Sequence, residues 1–118
     1  MSDPSRTKVI VVTGGRDYKD QATLDNVLNA LQPTLVVQGG ASGADAMAVQ
    51  WAIDNEVWFE TFEAEWEALG RGAGPVRNQK MLEAHINATV IAFPGNKGTK
   101  DCIKRAKSLG MVVLQVLE

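Results

Sequence analysis

Five short apolar runs, at residues 8–13, 35–37, 57–62, 88–93 and 111–116, alternate with segments of helical period, and this alternation constrains the fold more than any other feature. The first run, KVIVVT, is β-branched without polar alternation, the pattern of a strand covered on both faces in a parallel sheet. After Asp20, a residue suited to an N-cap, Leu24, Val27, Leu28 and Leu31 fall at i, i+3, i+4 and i+7, and Pro33 stands beyond the end. Ala44, Met47, Ala48, Trp51 and Ala52 predict a second helix after the second run. Residues 57–62 predict a third strand, and the polar, glycine-rich residues 63–74 read as the longest irregular stretch. Pro75 suits the first turn of a helix carrying Met81 and Leu82. Thr99 is placed to cap a last helix, with Ile103, Ala106 and Leu109 on its apolar face and Gly110 as its stop. Connections of about 12 to 20 residues are those that right-handed crossovers between parallel strands require. The expectation is a single α/β domain over residues 8–118, an open doubly wound parallel sheet of about five strands with helices on both faces. Residues 1–7 read as a loose tail.

Length and charge narrow the function. A chain of 118 residues makes one domain, which at this size buries roughly 65% of its extended surface. Twelve basic against 14 acidic residues leave a formal charge of −2, without the whole-molecule attraction that sequence-independent nucleic-acid binders use. Nucleic acid is therefore not the expected partner. One cysteine, Cys102, and one histidine, His85, give neither a disulfide nor a ligand set of metal spacing, so no metal and no cofactor are expected. There is no uncharged apolar run of about 18 residues and no leader-like start, and the expected setting is the cytoplasm, away from membranes.

In an open α/β sheet the ligand lies at the carboxyl ends of the strands, where three glycine clusters fall: TGGRDY from Thr13, GGASGAD from Gly39 and PGNKGT from Pro94. Glycines let backbone amides approach a phosphate, and the helix that follows presents free N–H groups to it. The candidate ligand-binding residues are Gly14, Gly15 and Arg16; Gly39, Gly40, Ser42 and Gly43; and Pro94, Gly95, Asn96, Lys97, Gly98 and Thr99. A glycine at such a turn also serves the turn alone. No cluster spells GxGxxG or GxxxxGK[ST], which disfavours dinucleotide oxidoreductases and P-loop NTPases. Ser42 only approximates a nucleophile elbow, and His85 reads as a surface or helix-end histidine. Arg77 and Asn78 complete the candidate set. A cation at a helix start opposes the dipole, so Arg77 points to an anionic partner, against the alternative of a solvated or carboxylate-paired arginine. Asp17 and Asp45 suit acceptance from sugar hydroxyls or work on a water, although Asp45, three residues after Ser42, equally suits a capping box. Trp66 suits stacking on a base, whereas Trp51 and Trp58 are expected in the core. Lys104, Arg105 and Lys107 read as the solvated face of the last helix.

The segments GGRDY, GGASGADAMA, AGPVRNQKM and FPGNKGT, in this order, resemble the YspA-like branch of the SLOG superfamily, Rossmann-like proteins related to the LOG phosphoribohydrolases. The resemblance extends over residues 8–109. It implies a pocket for a nucleotide or nucleotide-derived ligand, a phosphorylated nucleoside or an ADP-ribose-like molecule, in a sensor, carrier or sequestering protein. Residues 94–99 would take the phosphate, with residues 14–17, residues 39–45, Arg77 and Asn78 completing the pocket. It also implies a homodimer joined through a helix face, and a bacterial or phage source. LOG-type hydrolases carry PGGxGTxxE, whose glutamate helps to break an N-glycosidic bond; here the second glycine is Asn96 and the glutamate position is Cys102. Asp101 is about 100° away around the helix and is not expected to replace it. Binding is therefore the leading function. The alternative is a hydrolase of nucleoside 5′-monophosphates, with Arg77 holding substrate and Asp17 or Asp45 supplying acid–base chemistry. A second alternative is single-stranded DNA binding, in a groove formed by Lys97, Lys100, Lys104 and Arg105.

Overall fold

A computed structural model describes residues 7–117, so the expected tail lies, apart from Thr7, outside the described residues. The apolar runs form β1 (Val9–Thr13), β2 (Leu35–Gln38), β3 (Trp58–Thr61), β4 (Thr89–Ala92) and β5 (Val113–Gln115). They pair in the order β3-β2-β1-β4-β5, and every pairing is parallel. The helices are α1 (Gln21–Leu31), α2 (Ala44–Asp54), α3 (Trp66–Leu69), α4 (Ala73–Ala84) and α5 (Lys97–Ser108). This is the doubly wound, Rossmann-like α/β arrangement that the alternation predicts.

Side chains alternate across each strand, so the central strands feed two cores. Ile10, Val12, Val36 and Ile91 pack with Leu24 and Leu28 of α1 and Ala48, Trp51 and Ala52 of α2. Val11, Val37 and Val90 pack with Met81 and Leu82 of α4 and Cys102 and Ala106 of α5. Full burial of each large aliphatic chain contributes roughly 1.5–3 kcal/mol. Asp20 caps α1 as expected, accepting from the Thr23 backbone N–H at 3.1 Å and the Thr23 hydroxyl at 2.7 Å. Gly110, with φ +76°, ends α5.

Three local expectations are corrected. Trp51 lies in the core with its indole N–H donating to Asn29 at 2.9 Å, but Trp58 is 82% exposed, because β3 is the sheet edge and all of its residues are exposed. Residues 63–74 are not irregular throughout: α3 and a single 3-10 turn over Gly70–Gly72 lead directly into α4. The N-cap of α5 is Asn96 rather than Thr99. Thr99 is buried in the first turn with its hydroxyl over Gly95, in the space a Cβ would fill.

The chain winds from β1 through β2 to β3 in one direction, then crosses back to β4 beside β1 and on to β5. The segments leaving β1 and β4 therefore diverge, and a crevice opens between them at the carboxyl edge. No helix among the described residues is long and apolar enough to cross a membrane.

Candidate ligand cavity at the carboxyl edge of the sheet

Three loops interlock to make the rim of this crevice. The Gly15 N–H donates to the Pro94 carbonyl at 2.9 Å, and the Ala44 N–H donates to the Gly15 carbonyl at 3.2 Å. A Cβ on Gly14 would strike Ala44 and Phe93, and one on Gly43, at φ +74°, would strike the backbone of Gly15 and Arg16. Backbone is packed here on backbone, and glycine is the residue that permits it. The Ser42 hydroxyl donates to the Arg16 carbonyl at 3.3 Å and makes no capping box with Asp45. The Asp45 carboxylate instead accepts from the Gly39 and Ala41 amides, at 3.2 and 3.3 Å, and pins the second loop.

A cavity of about 920 Å³ lies between the loops and the first turns of α4 and α5. Of the residues singled out in the sequence, Gly14, Gly15, Arg16 and Asp17 line it from the first loop, and Gly39 and Asp45 from the second. Arg77 and Asn78 line it from α4, and Asn96, Lys97, Gly98 and Thr99 from α5. Gly40, Ser42, Gly43, Pro94 and Gly95 do not line it; Gly43 and Gly95 hold the loops together instead. Trp66, Arg71, Lys100 and Asp101 also face the cavity. The sequence assigns Trp66 to a base and Lys100 to the DNA alternative, and gives neither Arg71 nor Asp101 a ligand role. Asp101 follows Lys97 at i+4 and Gly98 at i+3 on α5, the spacings that put side chains side by side on a helix, which is the signal that would have found Asp101.

Arg77 is half-buried in the second turn of α4, since that helix begins at Ala73, and its guanidinium donates to the carbonyls of Gly39 and Phe62 and to the Asn78 side chain. Main-chain oxygens account for its placement, and no anion is needed to explain it. Asn78, 4% exposed, donates to the Gly98 carbonyl at 3.3 Å and to Asp101 Oδ2 at 3.0 Å, joining α4 to α5. Arg105, expected on a solvated face, is partly buried and donates to Asp101 Oδ2 at 2.9 Å and to Gln79 at 3.1 Å. Lys104 and Lys107 are exposed as expected.

Five cationic side chains and three carboxylates face the cavity, in a chain of formal charge −2. Burial pushes the Asp45 carboxyl up to about 6, against the opposing pull of the Ala41 N–H, the Arg77 charge, the Gly39 N–H and the Arg16 charge. Cys102 is fully buried and outside the cavity lining, and burial raises its thiol to about 11 despite a bond to Thr13. It therefore supplies neither a carboxylate nor a thiolate to a ligand. The N-terminus of α5 has no side-chain cap and no acidic residue in its first turn; a Cβ on Gly98 would meet nothing within 4 Å. At the mouth Trp66 is half exposed, with the Arg16 guanidinium 5.4 Å from its ring centre. His85 pairs with Glu60 at 2.7 Å, at the C-terminal end of α4 and outside the cavity lining. No group of metal-ligating side chains occurs among the described residues.

A family model described as the YspA, cpYpsA-related SLOG family matches residues 8–68. The Gene 61 protein of Mycobacterium phage D29 is 33% identical over 117 residues, a match that spans 89% of this chain and 93% of that protein. Among solved structures, the crystal structure of TM1055 aligns with a TM-score of 0.71 at 21% identity, over 91% of this chain and 72% of that one. DNA processing protein A (DprA) from Streptococcus pneumoniae aligns with a TM-score of 0.78 at 17% identity, over 96% of this chain and 51% of that one, so this chain spans about half the length of DprA. At these identities the two structures show the shared fold.

Proposed function

The chain belongs to the YspA, cpYpsA-related SLOG family, and from that premise we propose that it binds a phosphorylated nucleoside or an ADP-ribose-like nucleotide derivative at the carboxyl edge of its sheet. It acts in this proposal as a sensor, carrier or sequestering protein. The observation that carries the proposal is the start of α5: an uncapped helix N-terminus opening on a large cavity, beside a glycine with open space over its Cα. Amides of the first turn lack helical acceptors, and the helix dipole favours an anion there. Lys97 and Lys100 add two positive charges beside it. Arg16 and Arg71 provide cations elsewhere on the wall, and the exposed Trp66 ring offers a surface for a base.

The hydrolase alternative rests on Asp45, a cavity carboxyl with a raised pKa, the state that suits a general acid. Its two loop amides give it a structural task, and the family's glutamate position is occupied by the buried Cys102, so binding without turnover is favoured. The DNA alternative loses support from Arg105, whose guanidinium is held by Asp101 and Gln79 instead of extending a basic groove. The test is a panel of nucleoside 5′-monophosphates, diphosphates and ADP-ribose, read by thermal shift and by chromatography for released base. Stabilisation without base release is the expected result. Free base released by the wild type and lost in Asp45→Asn would favour the hydrolase, and no stabilisation by any nucleotide would overturn both.

A further inference from the structure

Asp101 is a cavity carboxylate with one oxygen accepting two hydrogen bonds and the other without a protein donor among the described residues. Both hydrogen bonds it accepts converge on Oδ2, from Asn78 Nδ2 at 3.0 Å and Arg105 Nε at 2.9 Å. Asn78 is itself buried and fixed by its bonds to Arg77 and Gly98, so the orientation of the carboxylate is set by the frame of α4 and α5. Oδ1 is left as an acceptor at the cavity wall. Among the described residues no buried side-chain polar atom lacks a partner, so this oxygen is accessible rather than buried. Asp101 lies one turn behind Lys97, about 6 Å further along α5, and helical side chains lean back toward the N-terminus.

Resting on the proposed nucleotide site, we infer that Asp101 is the residue that selects a ribose over a deoxyribose ligand, by accepting a hydrogen bond from a sugar hydroxyl through Oδ1. An acceptor-only oxygen next to an anion site repels a second phosphate and takes a neutral donor instead. A sugar hydroxyl attached to the phosphorylated group held at the helix N-terminus is a donor within one helical turn of it. The hydroxyl bond is charge-assisted, and its loss weakens binding about tenfold or more.

The experiment is calorimetric titration of the full chain with a nucleoside 5′-monophosphate, its 2′-deoxy form and its 3′-deoxy form, using the base that binds best in the panel above, with inorganic phosphate as a fourth ligand. The wild type is expected to bind the ribonucleotide at least tenfold more tightly than one of the deoxy forms, a comparison that needs no variant. In Asp101→Asn the two donors on Oδ2 hold the amide oxygen toward Asn78 and Arg105, which puts the amide nitrogen, a donor, in the place of Oδ1. The preference should fall to about unity while affinity for that deoxy form and for phosphate does not fall, with melting temperature confirming the fold. Equal affinities in the wild type, a preference retained in Asp101→Asn, or a loss shared equally by all ligands would each overturn the assignment. Failure of every nucleotide to bind would remove the proposed site together with it.

Discussion

Gly98→Ala separates stability from binding at the start of α5. Gly98 lies in the first turn, is absent from the positive-φ glycines, and has no atom within 4 Å of the place its Cβ would occupy. Alanine therefore fits the folded backbone and restricts the unfolded chain. The gain for such a replacement is about 0.4–1 kcal/mol, and about 0.5 kcal/mol is expected in a terminal turn. That corresponds to a rise in Tm of about 2–3 °C. The same methyl group projects into the cavity where an anion would approach the amides. Displacing one charge-assisted bond of about 1.5–3 kcal/mol weakens a bound phosphate group about tenfold or more. Differential scanning calorimetry without ligand and titration with the best nucleotide read the two effects separately. A variant that melts below the wild type refutes the open-space argument, and one that melts higher with unchanged affinity places the anion elsewhere. Gly43→Ala is the contrasting control, because φ +74° and the backbone of Gly15 and Arg16 leave its methyl no room, and a loss of about 2 kcal/mol or more is expected.

Asp45 makes stability depend on pH. Its carboxyl titrates at about 6 in the folded chain against 3.8 as the ordinary value, so the folded state holds the proton more tightly, and stability falls as pH rises from about 4 through 6 and is level above. Asp45→Asn keeps an oxygen for the Gly39 and Ala41 amides, and in urea unfolding should gain on the order of 2 kcal/mol relative to wild type between about pH 4 and pH 7; a difference independent of pH contradicts this. Arg77→Ala leaves the Gly39 and Phe62 carbonyls without their donor and should lower stability by about 2 kcal/mol in the absence of any ligand, with Arg77→Lys restoring only part. An unchanged denaturation midpoint would show that the guanidinium is held for ligand alone. Trp58→Ser at the exposed edge should change stability by no more than about 0.5 kcal/mol, whereas Trp51→Phe, which breaks the bond to Asn29, should cost about 1–2 kcal/mol in the same assay.

The residues that made the fold legible are those whose burial is periodic. Val11 and Val12 face opposite cores, as a continuous β-branched run demands, and Leu24 and Leu28 mark the buried stripe of α1. Periodicity does not say where in the sheet a strand lies, and so Trp58 in an apolar run was expected inside. Residues 70–74 hide a helix start because glycine reads as a break, although here it precedes and enters α4. The glycine clusters locate the cavity, but which glycines face it depends on contacts between loops distant in sequence, such as Gly43 on Gly15. Arg77 is the sharpest case. Its partner is the carbonyl of Gly39, a main-chain atom that carries no residue-type signal.

The interlocked loops also bear on how this scaffold changes over time. Since Gly15, Gly43 and Gly95 join the loops through main-chain contacts, and Asp45, Arg77 and Thr99 brace them, the frame of the cavity makes few demands on the other side chains that project into it. Arg16, Asp17, Lys97 and Lys100 are exposed on that frame and can be exchanged at little cost to folding. At these four positions recognition and architecture are uncoupled: substitutions there alter which molecule is held, while the backbone that holds it stays the same. A descendant of this chain could acquire a new ligand in single steps, each passing through a folded protein.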